Sequence, residues 1–399
     1  MASVRSAHAD GRACERARHS LCAQGKLVHR RRLVERSEEG YARVRHRAPA
    51  QVLFVEQSAF NGTVRVTKVD SWLALTFDAS EQGLSYAGIE REVGYRDGAA
   101  QPGTLAFDYT RAMASALAGF SALQRPEAGR EEGLSGRVMC VGLGSGTLPA
   151  FLAHHSPRAA VQVIELDPVV IRLGRDILRV RFSEHAALPP PAPGGEGFCV
   201  VESDGEVALV ELAERVRRGQ EEGCSALVLD AFDANARIPA HLQASRFLDA
   251  AVACLAPAGV LVVNIFNGPP DSKERKELAG YCALLRKALP SIVLFTVKIQ
   301  TQQANVVVVG VRGDSPLGRA VAAGRPPTRG ELEDAARGEA LRGGWEFDAG
   351  DAVQRMFLLR EGGGGALNEV VPGLPFDVWR ESSAMDSGMY VAGPAATPQ

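Results

Sequence analysis

Apolar and polar positions change rhythm twice along this chain. After an arginine-rich start, Val52 to Val55 and Thr63-Val64-Arg65-Val66-Thr67-Lys68-Val69 carry apolar residues as strands do, with Asn61-Gly62 between them as a turn. Trp72 to Phe77 reads as a third strand, so a small antiparallel sheet is expected first. From Ala106 to Leu123, alanine, methionine and leucine recur at helical spacing, and Pro126 to Gly136 is a polar link. Continuous apolar runs follow near 137–142, 161–166, 197–202, 226–230, 259–266, 292–298 and 305–312, separated by helical patterns. That alternation predicts a doubly wound, largely parallel sheet. Its last two strands lie too close in sequence for a crossover helix and should form an antiparallel hairpin. Pro189 to Gly195 reads as an inserted surface loop, and a further helix is predicted from about Arg329 to Arg342.

Composition narrows the class. Of 399 residues, 46% are hydrophobic and 23% charged, as in a globular domain with a sizeable core. No window reaches the ~20 uninterrupted apolar residues of a membrane span, so no membrane partner is expected. Net charge is −2, but residues 1–49 hold Arg30-Arg31-Arg32, Arg43, Arg45 and Arg47, leaving the remainder acidic. Glu35, Glu38 and Glu39 interrupt that basic run, so it reads first as a poorly ordered arm, ahead of a nucleic-acid tail, with an organelle-targeting segment left open as the alternative. Seven cysteines without CxxC or metal spacing read as reduced core thiols, and a cytoplasmic location is expected. The domains expected are the arm at 1–49, a small β domain at 50–104, a nucleoside-binding domain at 105–313, a helical extension at 314–360 and a tail at 361–399.

The candidate chemistry lies where apolar runs end. Val138 to Val141 leads into Gly142-Leu143-Gly144-Ser145-Gly146, and the next run ends Ile164-Glu165-Leu166-Asp167-Pro168. A strand, glycine turn, helix and acid-tipped strand is the layout of a nucleotide-binding βαβ unit. Gly142, Gly144 and Gly146 let the backbone approach a ligand, and Glu165 can accept both hydroxyls of a ribose. No further glycine is spaced for a pyrophosphate, so a nucleoside without phosphates, such as S-adenosylmethionine, fits better than a dinucleotide. Asp204, after the third run, is placed to accept an adenine amino group, with a turn-forming Asp-Gly as the equal alternative. Asp230 and Asp233 close the fourth run, and Tyr109 comes from the preceding helix. A sulfonium carbon is already activated, so transfer to an amine needs alignment and a group such as Asp230 to take its proton. No metal is required. His154, His155 and His241 read as surface or packing residues.

From Gln51 to Arg312 the chain resembles the spermidine synthase-like superfamily. The resemblance lies in Val141 to Gly146, Ile164 to Asp167, Asp204-Gly205 and Asp230-Ala231-Phe232-Asp233 with Ile238-Pro239-Ala240-His241-Leu242. It implies a seven-stranded Rossmann-like methyltransferase fold behind a small β domain. It further implies that Glu165 holds ribose, Asp204 adenine, and Asp230 faces an acceptor amine. Two departures separate it from aminopropyltransferases of polyamine synthesis. Ser145 replaces the acid that grips the amine of decarboxylated S-adenosylmethionine, and Tyr109-Thr110-Arg111 carries a base where a polyamine-binding acid is usual. Both set methyl transfer first, aminopropyl transfer second, and a non-catalytic scaffold third. A closer likeness, through Gly142 to Pro149, Val55-Glu56-Gln57-Ser58 and Gly343-Gly344-Trp345, is to the C-terminal domain of the eukaryotic elongation factor 1A methyltransferases. That likeness implies a protein amino terminus or lysine as acceptor, with a translation elongation factor as one such partner. A homodimer is left open as an assembly.

Overall fold

The structure, a computed structural model, describes residues 36–78, 80–87, 102–125, 133–192, 197–235, 237–266, 305–353 and 356–360, with short pieces between 280 and 298 and at 377–378. Two sheets organise it. The first runs β1 (Ala50–Ser58), β2 (Gly62–Val69), β3 (Trp72–Phe77) and β4 (Ser80–Tyr86), antiparallel throughout and in sequence order. Asn61-Gly62 makes the β1–β2 turn as expected, with Gly62 at φ +63°. The fourth strand is unanticipated, because Ser80-Glu81-Gln82-Gly83-Leu84-Ser85 shows no apolar alternation. Gly83 serves close packing instead, since a Cβ there would sit 2.5 Å from the Cβ of Ser145.

The second sheet contains β5 (Gly136–Val141), β6 (Ala159–Glu165), β7 (Phe182–His185), β8 (Phe198–Glu202), β9 (Cys224–Leu229), β10 (Leu255–Ile265), β11 (Ile292–Lys298), β12 (Val306–Arg312), β13 (Met356–Arg360) and β14 (Asp377–Val378). Their order is β14-β13-β11-β12-β10-β9-β5-β6-β8-β7. The seven expected strands form the body of this α/β fold, and β7, β13 and β14 extend its two edges. Pairings from β7 across to β10 are parallel. The chain then reverses, and β12 lies antiparallel between β10 and β11, so the expected hairpin is present with its second strand inserted inward.

Continuous apolar runs suit these strands because both faces are covered. Val138 and Cys140 pack into one core with Met113, Phe120, Phe151 and Leu332, while Met139 and Val141 pack into the other with Leu209, Leu212, Phe247 and Leu248. Helices α2 (Asp108–Leu123), α3 (Thr147–His155), α4 (Pro168–Asp176) and α8 (Arg329–Gly343) supply the first core. Helices α5 (Gly205–Arg217) and α6 (Ser245–Cys254) supply the second.

Two expectations change. Within the segment read as an unstructured arm, Glu38–Val44 is a helix, α1, capped by Ser37. It forms because Tyr41 has a partner, the Trp72 ring 5.9 Å away edge-on. The extension read as wholly helical, α7 (Pro316–Ala322), α8 and α9 (Ala349–Ala352), ends in β13, which pairs with β11. Residues 1–35, most of 361–399, and Cys14, Cys22 and Cys282 lie outside the described residues. Cys140, Cys199, Cys224 and Cys254 are free and buried. Among the described residues no helix is long and apolar enough to cross a membrane.

Candidate active site

The carboxyl ends of β5, β6, β8 and β9 open onto a cavity of ≈ 250 Å³. This is where an open α/β sheet places its ligands, beside the strand at which the order reverses. Its wall includes Gly142, Gly144, Glu165, Asp204, Asp230 and Asp233 from the sheet, and Tyr109 from the first turn of α2. Six of the residues singled out by pattern therefore share one chamber with Tyr109. Ser145 and Gly146 are not on its wall.

Gly142 fixes the geometry at the centre. Its φ is +99°, and a Cβ there would collide with the carbonyl oxygen of Asp230. The turn can lie against the end of β9 only because residue 142 has no side chain. Its N–H donates to Ile164 O at 2.8 Å, and the Asp230 N–H donates to Val141 O at 3.0 Å. The turn and the acid-bearing ends of β6 and β9 are thereby one backbone unit.

Glu165 is 8% exposed and takes a backbone donor on each oxygen. Leu143 N–H reaches Oε2 at 2.7 Å and Asp167 N–H reaches Oε1 at 2.9 Å. Burial pushes its carboxyl up to about 7, against the pull of those donors. Each carboxylate oxygen has a second acceptor direction, so the bidentate grip on a diol is compatible with the bonds already made.

Asp204 is both things the pattern allowed. Its Oδ1 caps α5 by accepting from Glu206 N–H at 2.8 Å and Val207 N–H at 3.1 Å. Its Oδ2 meets His241 Nε2 at 3.0 Å inside the cavity. His241, read from sequence as a surface or packing residue, is thus a wall residue, and that reading is corrected. It arrives there because Pro239 leads into a short 3₁₀ turn, Ala240–Gln243, that folds over the mouth.

Asp230 sits deeper. Its carboxyl is pushed up to about 6 by burial, and Asn264 Nδ2 donates to its Oδ1 at 2.8 Å. Asp233 is engaged in its own loop, where Oδ1 accepts from Asn235 N–H at 2.8 Å and Arg237 N–H at 3.0 Å. Asp233 thus holds its own loop with Oδ1, while Asp230 is tied through Oδ1 to a side chain of the neighbouring strand.

The small sheet closes the chamber. Phe60 and Asn61, at the β1–β2 turn, with Phe77 and Gln82, line the side opposite the main sheet. The turn is pinned by Asp167, fully buried, whose Oδ2 accepts from Ser58 Oγ at 2.5 Å and Asn61 Nδ2 at 2.7 Å. The same carboxylate caps α4 through Val169 N–H at 2.9 Å. Sequence reading passed over these contributions and over Asn264. A signal for Asn264 was present, a lone amide inside the apolar run Leu261-Val262-Val263-Asn264-Ile265.

Two residues used to infer the transferred group face elsewhere. Ser145 is 4% exposed, with its hydroxyl 3.2 Å from that of Thr147. Arg111 donates from Nε to Leu105 O at 2.7 Å and from Nη2 to Arg36 O at 3.2 Å, and lies over the Phe347 ring. It braces the start of α2 against the segment after α8 and is not on the cavity wall. The charged side chains of the described wall are Glu165, Asp204, Asp230 and Asp233, with His241 the one base; neither lysine nor arginine stands among them.

No family model matches the chain. A polyamine aminopropyltransferase of Vibrio vulnificus is 28% identical over 131 residues, which are 33% of this chain and 38% of that protein. The chain thus spans well under half the length of that curated relative. Among solved structures, a probable spermidine synthase from Corynebacterium glutamicum is 16% identical with a TM-score of 0.48, covering 84% of this chain and 98% of that one. Human methyltransferase-like protein 13, in complex with SAH, is 18% identical with a TM-score of 0.44, covering 59% of this chain and 92% of that one. The strand order described above rests on its own hydrogen bonding and not on these likenesses.

Proposed function

We propose that the protein is a transferase that moves an alkyl group, a methyl in the first reading, from the sulfonium of S-adenosylmethionine to an amine, on a small molecule or a protein. The observation that carries this is the convergence of Glu165, Asp204 and Asp230 on one cavity around a glycine turn that admits no Cβ at Gly142. The residues fit such a nucleoside. Glu165 offers two oxygens to a ribose diol, Asp204 offers an acceptor to an exocyclic amine once His241 yields it, and among the described wall residues there is no lysine or arginine for a pyrophosphate. When bound, the sulfonium supplies an activated carbon and a neutral thioether leaving group.

Asp230 supplies the acid–base step. A carboxyl near pH 6 is ionised at neutral pH and can take the proton lost by an attacking amine, which suits a general base. The acidic wall attracts a cationic donor and a cationic acceptor alike. Tyr109 and Phe60 bound the space beside Asp230 and Glu165 in which an acceptor approaches.

Methyl is kept as the first reading of the cargo because the glycine turn, Gly142 to Gly146, carries no acid to hold a second amine, although the Ser145 side chain itself turns toward Thr147 and off the wall. Aminopropyl transfer is the second reading. It is favoured by the absence of a lysine or arginine among the described wall residues for the carboxylate of intact S-adenosylmethionine, and by the partial likeness to a polyamine aminopropyltransferase. The nucleoside product distinguishes them. Mass spectrometry of incubations with each donor and a panel of peptide and polyamine acceptors should find S-adenosylhomocysteine; 5′-methylthioadenosine would transfer the assignment to the second reading, and neither product would defeat both.

A further inference from the structure

Asn264 is 1% exposed, within a strand whose neighbours Val262, Val263 and Ile265 are buried hydrocarbon. A buried amide costs about 1–3 kcal/mol for each group left without a partner, so its bonds are informative. Both ends are occupied. Nδ2 donates to Asp230 Oδ1 at 2.8 Å, and Oδ1 accepts from Asn305 Nδ2 at 2.9 Å. The opposite amide orientation would set a carbonyl against a carboxylate, acceptor against acceptor, so the direction of the relay is dictated by its ends.

Topology brings the three side chains together. Asn264 is opposite Val307 in the antiparallel β10–β12 pair, so Asn305, two residues before Val307, falls diagonally on the same face of the sheet. Asp230 follows β9, which pairs parallel to β10 on the other side. The inserted strand β12 thus delivers a supporting residue to an acid two strands away.

We propose that Asn264, oriented by Asn305, is a positioning residue that occupies Oδ1 of Asp230 and directs proton uptake to Oδ2. This rests on the reading of Asp230 as the group that meets the acceptor amine. An amide N–H shares an oxygen with a carboxylate but not with a carboxylic proton, so the proton goes to the oxygen Asn264 does not hold. Among the described residues no hydrogen-bond partner engages Oδ2. The titratable groups around Asp230 are Tyr109, Glu165, Asp204, Asp233 and His241 on the cavity wall, and Cys140 on neighbouring β5. Burial drives the Asp230 carboxyl up, and Asn264 pulls it back.

The test is a carbon-13 carboxyl NMR titration of the full chain, with the Asp230 signal assigned by its loss in Asp230→Asn. Asn264→Leu should move the midpoint upward by about one pH unit, the scale of one hydrogen bond to a charged group. Asn305→Ala, at a half-buried position, should move it the same way by less, and it serves alone if Asn264→Leu does not fold. The acid limb of kcat against pH should rise with the NMR midpoint while KM for the donor holds, a pairing that general loosening of the fold would not produce. An unmoved midpoint in folded Asn305→Ala and Asn264→Leu overturns the relay whatever the activity. Because the titration needs no donor or acceptor, a shifted midpoint in a protein that transfers nothing would defeat the amine-transfer reading and leave the relay standing.

Discussion

The Glu165 and Asp230 sides of the cavity each present a carboxyl that desolvation pushes up, yet they are finished differently. Glu165 has a backbone donor on each oxygen, from Leu143 and Asp167. Asp230 has one side-chain donor on one oxygen. One backbone donor belongs to the glycine turn and the other to the residue that caps α4, and neither can leave without its segment unfolding, so the Glu165 side is rigidly held. A single amide donor leaves Asp230 an oxygen for exchange, so that side is suited to moving a proton. On the proposed function, the difference between binding and chemistry lies in what surrounds these two carboxyls.

The largest effect should come from removing what joins the two sides. Gly142→Ala places a Cβ against the Asp230 carbonyl at a φ of +99°, which combines backbone strain with overpacking. Denaturant unfolding should show a loss of about 3 kcal/mol or more, and a variant of unchanged stability would mean that the two strand ends are not locked together as described.

Asp230→Asn separates the sides functionally. Turnover should fall by about 10²- to 10⁴-fold, the usual worth of a positioned proton acceptor, with donor affinity held within a few-fold. A loss of affinity equal to the loss of turnover would place Asp230 among the binding groups instead.

Glu165→Gln should do the reverse, weakening the donor by about 10- to 100-fold, since an amide NH₂ faces a backbone N–H that needs an acceptor. It also carries a pH signature. A carboxyl raised from 4.5 to about 7 on folding holds protons that the unfolded chain has released. Its contribution is full below the unfolded value and is lost as pH rises through 7, to the extent of about 3 kcal/mol. Asp230 acts in the same sense through pH 6. The Tm of the ligand-free protein should therefore decline from pH 5 to 8, and the decline should flatten in Glu165→Gln; parallel curves would contradict the buried-acid picture.

The smallest change is expected at the mouth. His241→Ala frees Asp204 Oδ2, while Oδ1 keeps its cap on α5. Donor affinity should shift by no more than a few-fold, with unfolding cooperativity intact, as read by calorimetric titration and by heat.

What could be read from sequence follows the range of the interactions. Runs such as Val138 to Val141 and Leu227 to Leu229 announce strands because both faces are buried by helices, whichever part of the chain supplies them. The glycine turn with Glu165, Asp204 and Asp230 was legible because strand ends in such a sheet converge by topology alone. What escaped depends on distant chain. β4 holds a glycine because Ser145 packs on it, Asp167 reaches more than 100 residues back to Ser58 and Asn61, and Asn264 makes sense only beside Asn305 and Asp230. Ser145 and Arg111 show the converse. Their identities were noticed from motif spacing, but direction is a three-dimensional property, and both side chains turn from the cavity toward Thr147 and toward the Leu105 and Arg36 carbonyls.

Calorimetric titration of the purified protein with intact and with decarboxylated S-adenosylmethionine tests the central claim most directly. The account predicts one site per chain that takes the intact donor more tightly and weakens in Glu165→Gln; preference for the decarboxylated form would contradict the choice of cargo, and binding of neither would contradict the cavity's assignment itself.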